Sequence, residues 1–156
     1  MKVLIIYDSY YGNTLKVANN YNELLKDYHP ELIKVDVVTQ SIIDTYEIII
    51  IGSPTRAFNM TKKIKRTLKK FDYKNKKIFV FDTRANPVLI DQKFLVKLMN
   101  RFGYAAEKME KVLVKKNAQK IMDYKYYYVK DSEGPLVDDY QSAIKKDVAS
   151  LIQKFN

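Results

Sequence analysis

Lys2-Val3-Leu4-Ile5-Ile6-Tyr7-Asp8-Ser9-Tyr10-Tyr11-Gly12-Asn13-Thr14 is the stretch that decides the fold. Its first half, Lys2–Tyr7, is an unbroken apolar run with β-branched residues, the pattern of a strand buried on both faces. Its second half is a polar turn with one Gly, one Asn and small hydroxyls, after which Leu15, Ala18, Tyr21, Leu24 and Leu25 recur at helical spacing. A strand running through a short polar loop into a helix opens a βαβ unit. The alternation continues outward. Leu32–Val38, Glu47–Ile51, Ile78–Phe81 and Tyr126–Val129 read as further strands. Helical spacing returns at Ile64, Leu68 and Phe71, at Ala106, Met109 and Leu113, and at Ala143, Ile144, Val148, Leu151 and Ile152. The expectation is an α/β chain with a five-stranded parallel sheet, helices on both faces, and a single domain over residues 1–156. Open sheets of this kind bind ligands at the C-terminal ends of their strands, so function is sought there.

Composition narrows the chemistry. The 156 residues carry 28 Lys+Arg against 18 Asp+Glu, a net charge of +10 with the single His neutral. At 47% hydrophobic and 29% charged the chain predicts a packed core rather than disorder. With no Cys there are no disulfides, thiolate metal sites or Cys nucleophiles. One His cannot build a His-rich metal site, and His29 precedes Pro30 in a turn, so no metal ligand and no acid–base catalyst is assigned. No apolar run reaches the roughly 18 residues of a membrane span, and the opening run meets Asp8 too soon for a signal-peptide core, so a cytosolic location is expected.

The loop Asp8–Thr14 suits a phosphate group. Free backbone N–H groups at a helix start attract an anion with the help of the helix dipole, and Ser9 and Thr14 add hydroxyl donors. The loop matches neither the GxxxxGK[ST] of nucleotide triphosphatases nor the GxGxxG of dinucleotide folds, which favours a monophosphate ligand. The competing reading is plain helix capping by Ser9, Asn13 and Thr14.

These residues resemble the phosphate loop of flavodoxins: Ser9, Gly12, Asn13 and Thr14 match, while Tyr11 stands where that family usually keeps a small hydroxyl. Three further blocks are similar to a flavodoxin-like subgroup in the same order, Ile51-Gly52-Ser53-Pro54-Thr55-Arg56-Ala57-Phe58, Phe81-Asp82-Thr83-Arg84 and Asp131-Ser132-Glu133-Gly134-Pro135-Leu136. The resemblance implies strand order 2-1-3-4-5 and FMN at the point where strands one and three diverge, flavodoxin being itself a standard example of that rule. It also implies an electron-transfer protein holding FMN non-covalently. Ser9, Tyr11, Gly12, Asn13 and Thr14 would surround the phosphate. Ser53, Pro54, Thr55, Arg56 and Phe58, joined by Thr83, Arg84 and Tyr104, would line the flavin ring, a planar apolar body with a polar rim.

Acidic surroundings are usual for the cofactor in flavodoxins, whereas Arg56 and Arg84 put cations here. A cation stabilises a reduced, anionic flavin, each kcal/mol lifting a one-electron potential by about 43 mV, so a less strongly reducing flavin is expected unless the arginines pair with Asp82 or Asp8. Between Arg84 and Gly103 lies an excursion, Ala85–Phe102, whose Val88, Leu89, Ile90, Phe94, Leu95, Leu98, Met99 and Phe102 form an apolar stripe. The stripe either packs as core or covers the site or docks a partner.

Charge is concentrated in Met60–Lys77, net +8, where Ile64, Leu68 and Phe71 mark the buried side. The Lys62–Lys77 region could steer an acidic redox protein or an anionic surface, and nucleic acid is not expected because no recognised nucleic-acid motif accompanies the charge. Tyr124, Tyr126, Tyr127 and Tyr128 are explained by alternate packing in a strand. Other classes stay open. One is an FMN-dependent oxidoreductase acting on a quinone, porphyrinogen or similar apolar substrate. Another is a flavin-free interaction module, suggested by Tyr11. A receiver domain is set aside, because Gly52-Ser53-Pro54 supplies no acidic phosphoacceptor.

Overall fold

Alternate residues of each central strand feed two different cores, which is why the strands read as unbroken apolar runs. In β1 (Val3–Tyr7), Val3 and Ile5 face one side of the sheet and Leu4 and Ile6 the other. Strands β3 (Ile48–Pro54) and β4 (Lys77–Ala85) repeat the division, with Ile48, Ile50, Phe79 and Phe81 on the first side and Ile49, Ile51, Ile78 and Val80 on the second. Helices α1 (Asn13–Leu24) and α6 (Tyr140–Ile152) cover the first side through Val17, Ala18, Tyr21, Ile144, Val148 and Leu151. Helices α2 (Gln40–Thr45), α3 (Lys62–Lys70) and α5 (Ala105–Lys115) cover the second through Ile43, Ile64, Leu68, Met109 and Leu113. Each fully buried aliphatic side chain is worth about 1.5–3 kcal/mol, so these two layers hold the sheet.

The computed structural model describes residues 1–155. All strand pairings within the sheet are parallel, with β2 (Glu31–Lys34) and β3 flanking β1, and β4 beside β3. The fifth position is in two pieces on the same edge of β4: β5 (Gln119–Lys120) pairs with Lys77 and Ile78, and β6 (Lys125–Val129) with Phe81–Ala85. The order is therefore 2-1-3-4-5, as the resemblance implied, with an interruption over residues 121–124. Gly52, opposite Phe81 in the register, is required by a close approach, since a Cβ there would lie 2.3 Å from the Phe81 ring.

Two expectations need correction. The second strand was expected over Leu32–Val38 but ends at Lys34, and Val35–Val37 form a 3-10 turn that drops Val35 into the core. β2 is an edge strand, and a run of three valines with Asp36 serves the turn as well as the ladder. The basic segment is also divided. Lys62–Lys70 ride on α3, whereas Lys76 donates to the carbonyls of Asp44 and Tyr46 and Lys77 to that of Phe155, at the opposite edge of the sheet from the strands' C-terminal ends.

β1 leads to β2 on one side and β3 lies on the other, so the loops after β1 and β3 part and leave a crevice between them. Past β4, a 3-10 turn at Pro87–Leu89 and helix α4 (Lys93–Phe102) form the excursion, which returns through Gly103 (φ +72°) to α5. The apolar stripe splits between the two roles considered for it. Met99 is buried and Leu95 and Leu98 are half-buried, but Val88, Leu89, Phe94 and Phe102 are exposed.

Candidate functional site

The crevice is a cleft of about 310 Å³ lined by Ser9, Tyr10, Tyr11, Asn13 and Thr14 after β1, by Pro54–Ala57 after β3, by Thr83–Ala85 at the end of β4, and by Val129 and Ser132. Its floor is the helix start. Gly12 takes φ +85°, a left-handed conformation that suits glycine, although an added Cβ would meet nothing within 4 Å. Gly12 N–H donates to Ser9 Oγ at 3.1 Å, which folds the loop back on itself. The residues that capping would use are occupied elsewhere: Asn13 Nδ2 donates to the Glu133 carbonyl (2.9 Å), and Thr14 Oγ1 sits 2.8 Å from Thr83 Oγ1. α1 has no side-chain cap, so the N–H groups of Asn13, Thr14 and Leu15 are left without an acceptor among the described residues. Three orphan donors at the positive end of a helix are an anion site.

The wall after β3 is a tight turn in which Arg56 and Asn59 exchange two backbone hydrogen bonds (2.8 and 3.0 Å) while Ala57 and Phe58 take φ +45° and +63°. Positive φ at two non-glycine residues strains the turn. Arg56 projects between Tyr10 and Tyr11, its guanidinium carbon 5.4 Å from each ring centroid. A planar guanidinium and phenol rings can each stack on a flat, partly apolar ligand.

The opposite wall is organised by Asp82, which is fully buried. Arg84 clamps it with two bonds of 2.7 Å, Ala106 N–H donates to it at 2.9 Å and the Thr55 hydroxyl at 3.1 Å. Thr55 Oγ1 in turn accepts the Ala105 N–H at 2.9 Å, so one carboxylate ties β4, the β3 turn and the start of α5 together. Burial pushes the Asp82 carboxyl up from its ordinary value, and the Arg84 guanidinium pulls it back down. Arg84 is itself flanked by the rings of Tyr104 (3.8 Å) and Tyr126 (4.3 Å). A second, smaller pocket of about 190 Å³ adjoins this wall beneath α4, lined mainly by Phe58, Ile90, Leu95, Met99 and Tyr104.

Ser9, Tyr11, Asn13, Thr14, Pro54, Thr55, Arg56, Thr83 and Arg84 line the main cleft, and Gly12 shapes its floor. Ser53 does not reach it: its buried hydroxyl accepts the Thr61 N–H (3.1 Å) and donates to the Pro54 carbonyl (3.0 Å). Phe58 and Tyr104 line only the neighbouring pocket, Phe58 because the turn carries its ring toward Phe102 (5.7 Å between centroids), Tyr104 because it stacks on Arg84. Arg84 is not a free cation, being neutralised by Asp82 in a buried pair, so of the two arginines only Arg56 brings uncompensated charge to the cleft. The sequence reading left out Tyr10, Asp82 as an organiser, Tyr126 and Ser132. Ser132 stood in a quoted block, but no local pattern links Tyr126 to Arg84 across 42 positions. Asp8, considered above only as a partner for the arginines, is buried at the end of β1, accepts the Ser9 N–H at 3.0 Å, and leaves Oδ2 without a partner among the described residues.

Fold and site define a class, the doubly wound α/β proteins with an anion-accepting loop after the first strand. The chain belongs to the flavodoxin domain family, whose model matches residues 4–129. An uncharacterized protein of Methanocaldococcus jannaschii is 33% identical over 90 residues, which span 57% of this chain and 58% of that protein's length. Among solved structures, oxidised flavodoxin 2 of Bacillus cereus superposes with a TM-score of 0.74 at 19% identity, covering 99% of this chain and 100% of that one. The flavodoxin of Fusobacterium nucleatum bound to flavin mononucleotide gives 0.70 at 15%, covering the whole of both chains. At these identities the structural likeness shows the fold. No helix among the described residues is long and apolar enough to cross a membrane.

Proposed function

We propose that the protein binds FMN in the main cleft and serves as a cytosolic electron carrier. The observation that carries this reading is the set of unaccepted N–H groups of Asn13, Thr14 and Leu15, which open onto a cleft whose rim holds Tyr10, Tyr11 and Arg56. These residues fit the cofactor at both ends. The helix start would hold its phosphate, with Arg56 adding positive charge near the same loop. The planar wall of Arg56, Tyr10 and Tyr11 and the strand ends Thr55 and Thr83–Ala85 would hold its ring. Bound there, FMN supplies one- and two-electron chemistry; the chain supplies position and electrostatics, and no side chain needs to act as acid or base. With Arg84 neutralised, the expected rise in potential rests on Arg56 alone. The basic face of α3 lies beside the turn after β3 and would steer an anionic partner toward the cleft.

The adjoining apolar pocket favours a second reading, an FMN-dependent oxidoreductase whose apolar substrate sits beneath α4. Titration with FMN and with riboflavin, followed by flavin fluorescence, tests the binding reading. Saturable quenching at one FMN per chain, with much weaker riboflavin binding, is expected, and a protein that ignores FMN would leave the flavin-free module. Turnover of a soluble quinone without a protein acceptor would move the function from carrier to enzyme.

A further inference from the structure

The excursion after β4 leaves apolar side chains exposed to solvent. Val88 is 86% exposed, Leu89 62%, Phe94 73% and Phe102 48%. Scattered exposed apolar residues are ordinary, but these four belong to one segment of fifteen positions, and the first three stand on a turn and the first coil of a helix. The helix has divided its residues by face. Leu95, Leu98 and Met99 turn toward the body, while Lys93, Phe94, Lys97, Arg101 and Phe102 turn outward. Its sequence, KFLVKLMNRF, has three cations and no acidic residue, and none of the three is ion-paired among the described residues.

This face is continuous with the basic side of α3. Phe102 packs near Phe58, whose carbonyl accepts from Lys108. Lys65 of α3 lies close enough that its charge helps to hold the Lys108 ammonium below its ordinary value, burial being the larger cause. Lys65, Arg66 and Lys108 have no ion-pair partner among the described residues. The outward surface is therefore a mixed band of cations and protruding aliphatic and aromatic side chains beside the cleft, with exposed Asp91 the one acidic residue among the fifteen positions.

We propose that this band, the turn Pro87–Leu89 with the outer face of α4 and the adjoining Lys65, docks on an anionic lipid surface. The apolar side chains lie among the headgroups and the cations contact lipid phosphates. A lipid surface fits better than an acidic protein because the apolar groups protrude singly instead of lining a groove, and need a soft medium rather than matching pockets. The cations are mostly lysines on long flexible stems, suited to many phosphates in no fixed arrangement. The assignment goes beyond flavin binding and does not depend on it.

Flotation with vesicles decides the question. The purified full chain is mixed with phosphatidylcholine vesicles, or with vesicles holding a third phosphatidylglycerol, at low and at high salt. Flavin content and melting temperature are recorded for every preparation, so that loss of cofactor or fold is read separately from loss of binding. Binding to the anionic vesicles, weakened by salt and absent on phosphatidylcholine alone, is expected. Lys97→Ala should weaken it about fivefold. The double variant Leu89→Ser with Phe94→Ser should weaken it by at least about tenfold at unchanged melting temperature. No flotation with either vesicle overturns the proposal. Flotation untouched by the Leu89/Phe94 variant also overturns it, by leaving charge alone as the cause. So does a dimer in solution that the same variant dissolves, which would assign the band to self-association. Stable binding to an acidic protein without any to vesicles would give the face to a protein partner and overturn it likewise.

Discussion

The loop Ser9–Thr14 and the segment Asn86–Phe102 occupy the same edge of the sheet and are built on opposite terms. The loop is held from three directions: Ser9 to Gly12 within itself, Asn13 to Glu133 across to the last loop, and Thr14 to Thr83 at the end of β4. The segment is held by buried Met99, a few half-buried side chains and the short turn Pro87–Leu89, with Val88, Leu89, Phe94 and Phe102 in solvent. Fixed backbone with free donors suits a ligand that must sit in one pose. A loosely seated apolar and basic surface suits contact with something large and variable. The difference teaches where rigidity was needed.

Mutations in and between the two regions test this contrast. The largest effect is expected at the bolt between the two regions: Arg84→Ala leaves the Asp82 carboxylate buried without its cation and should cost about 3–5 kcal/mol in chemical denaturation. Arg84→Lys should recover only part of that loss, because one ammonium cannot reproduce the two-pronged pairing. Next comes Gly52→Ala, which forces the Phe81 ring aside and should cost about 1–3 kcal/mol, read from the urea midpoint. Thr14→Val removes the bond to Thr83 and should lower stability by about 1 kcal/mol while weakening FMN more than riboflavin. An equal loss for both flavins would detach Thr14 from the phosphate. Smallest is Phe94→Ser, expected within about 0.5 kcal/mol of the parent because its ring is already in water. A loss of several kcal/mol there would mean that the segment is seated as firmly as the loop.

How much of this was legible in the sequence varies with the kind of information each part needs. β1, Ile48–Ile51 of β3 and Ile78–Phe81 of β4 announce themselves because both faces are buried there and the positions are apolar. β5 could not be read, since Gln119–Lys120 is two exposed polar residues with no period, defined only by pairing with Lys77 and Ile78. The loop residues around Gly12 carry local chemistry, and Ser9, Tyr11, Asn13 and Thr14 line the cleft. Ser53 and Arg84 are engaged by their own neighbours: a hydroxyl can satisfy a neighbouring turn as readily as a ligand, and the Arg84 guanidinium, though it lines the cleft, is neutralised by the buried Asp82. That Asp82 also gathers Ala106 and Thr55 depends on contacts across 24 and 27 positions, which no short pattern contains.

The anchoring at Asp82 has a consequence for how this chain can change. Its bonds fasten β4 before Ala85 and α5 at Ala106, and everything between leaves and returns through two pinned points. The intervening stretch is in effect a cassette. It can lengthen, shorten or be exchanged for another sequence while the sheet and the phosphate loop keep their positions, because the chain ends that a replacement must meet are already fixed in space. New specificity for a surface or a substrate could therefore be grafted beside an unchanged cleft, and epitope tags or reporter loops could be inserted at the same place.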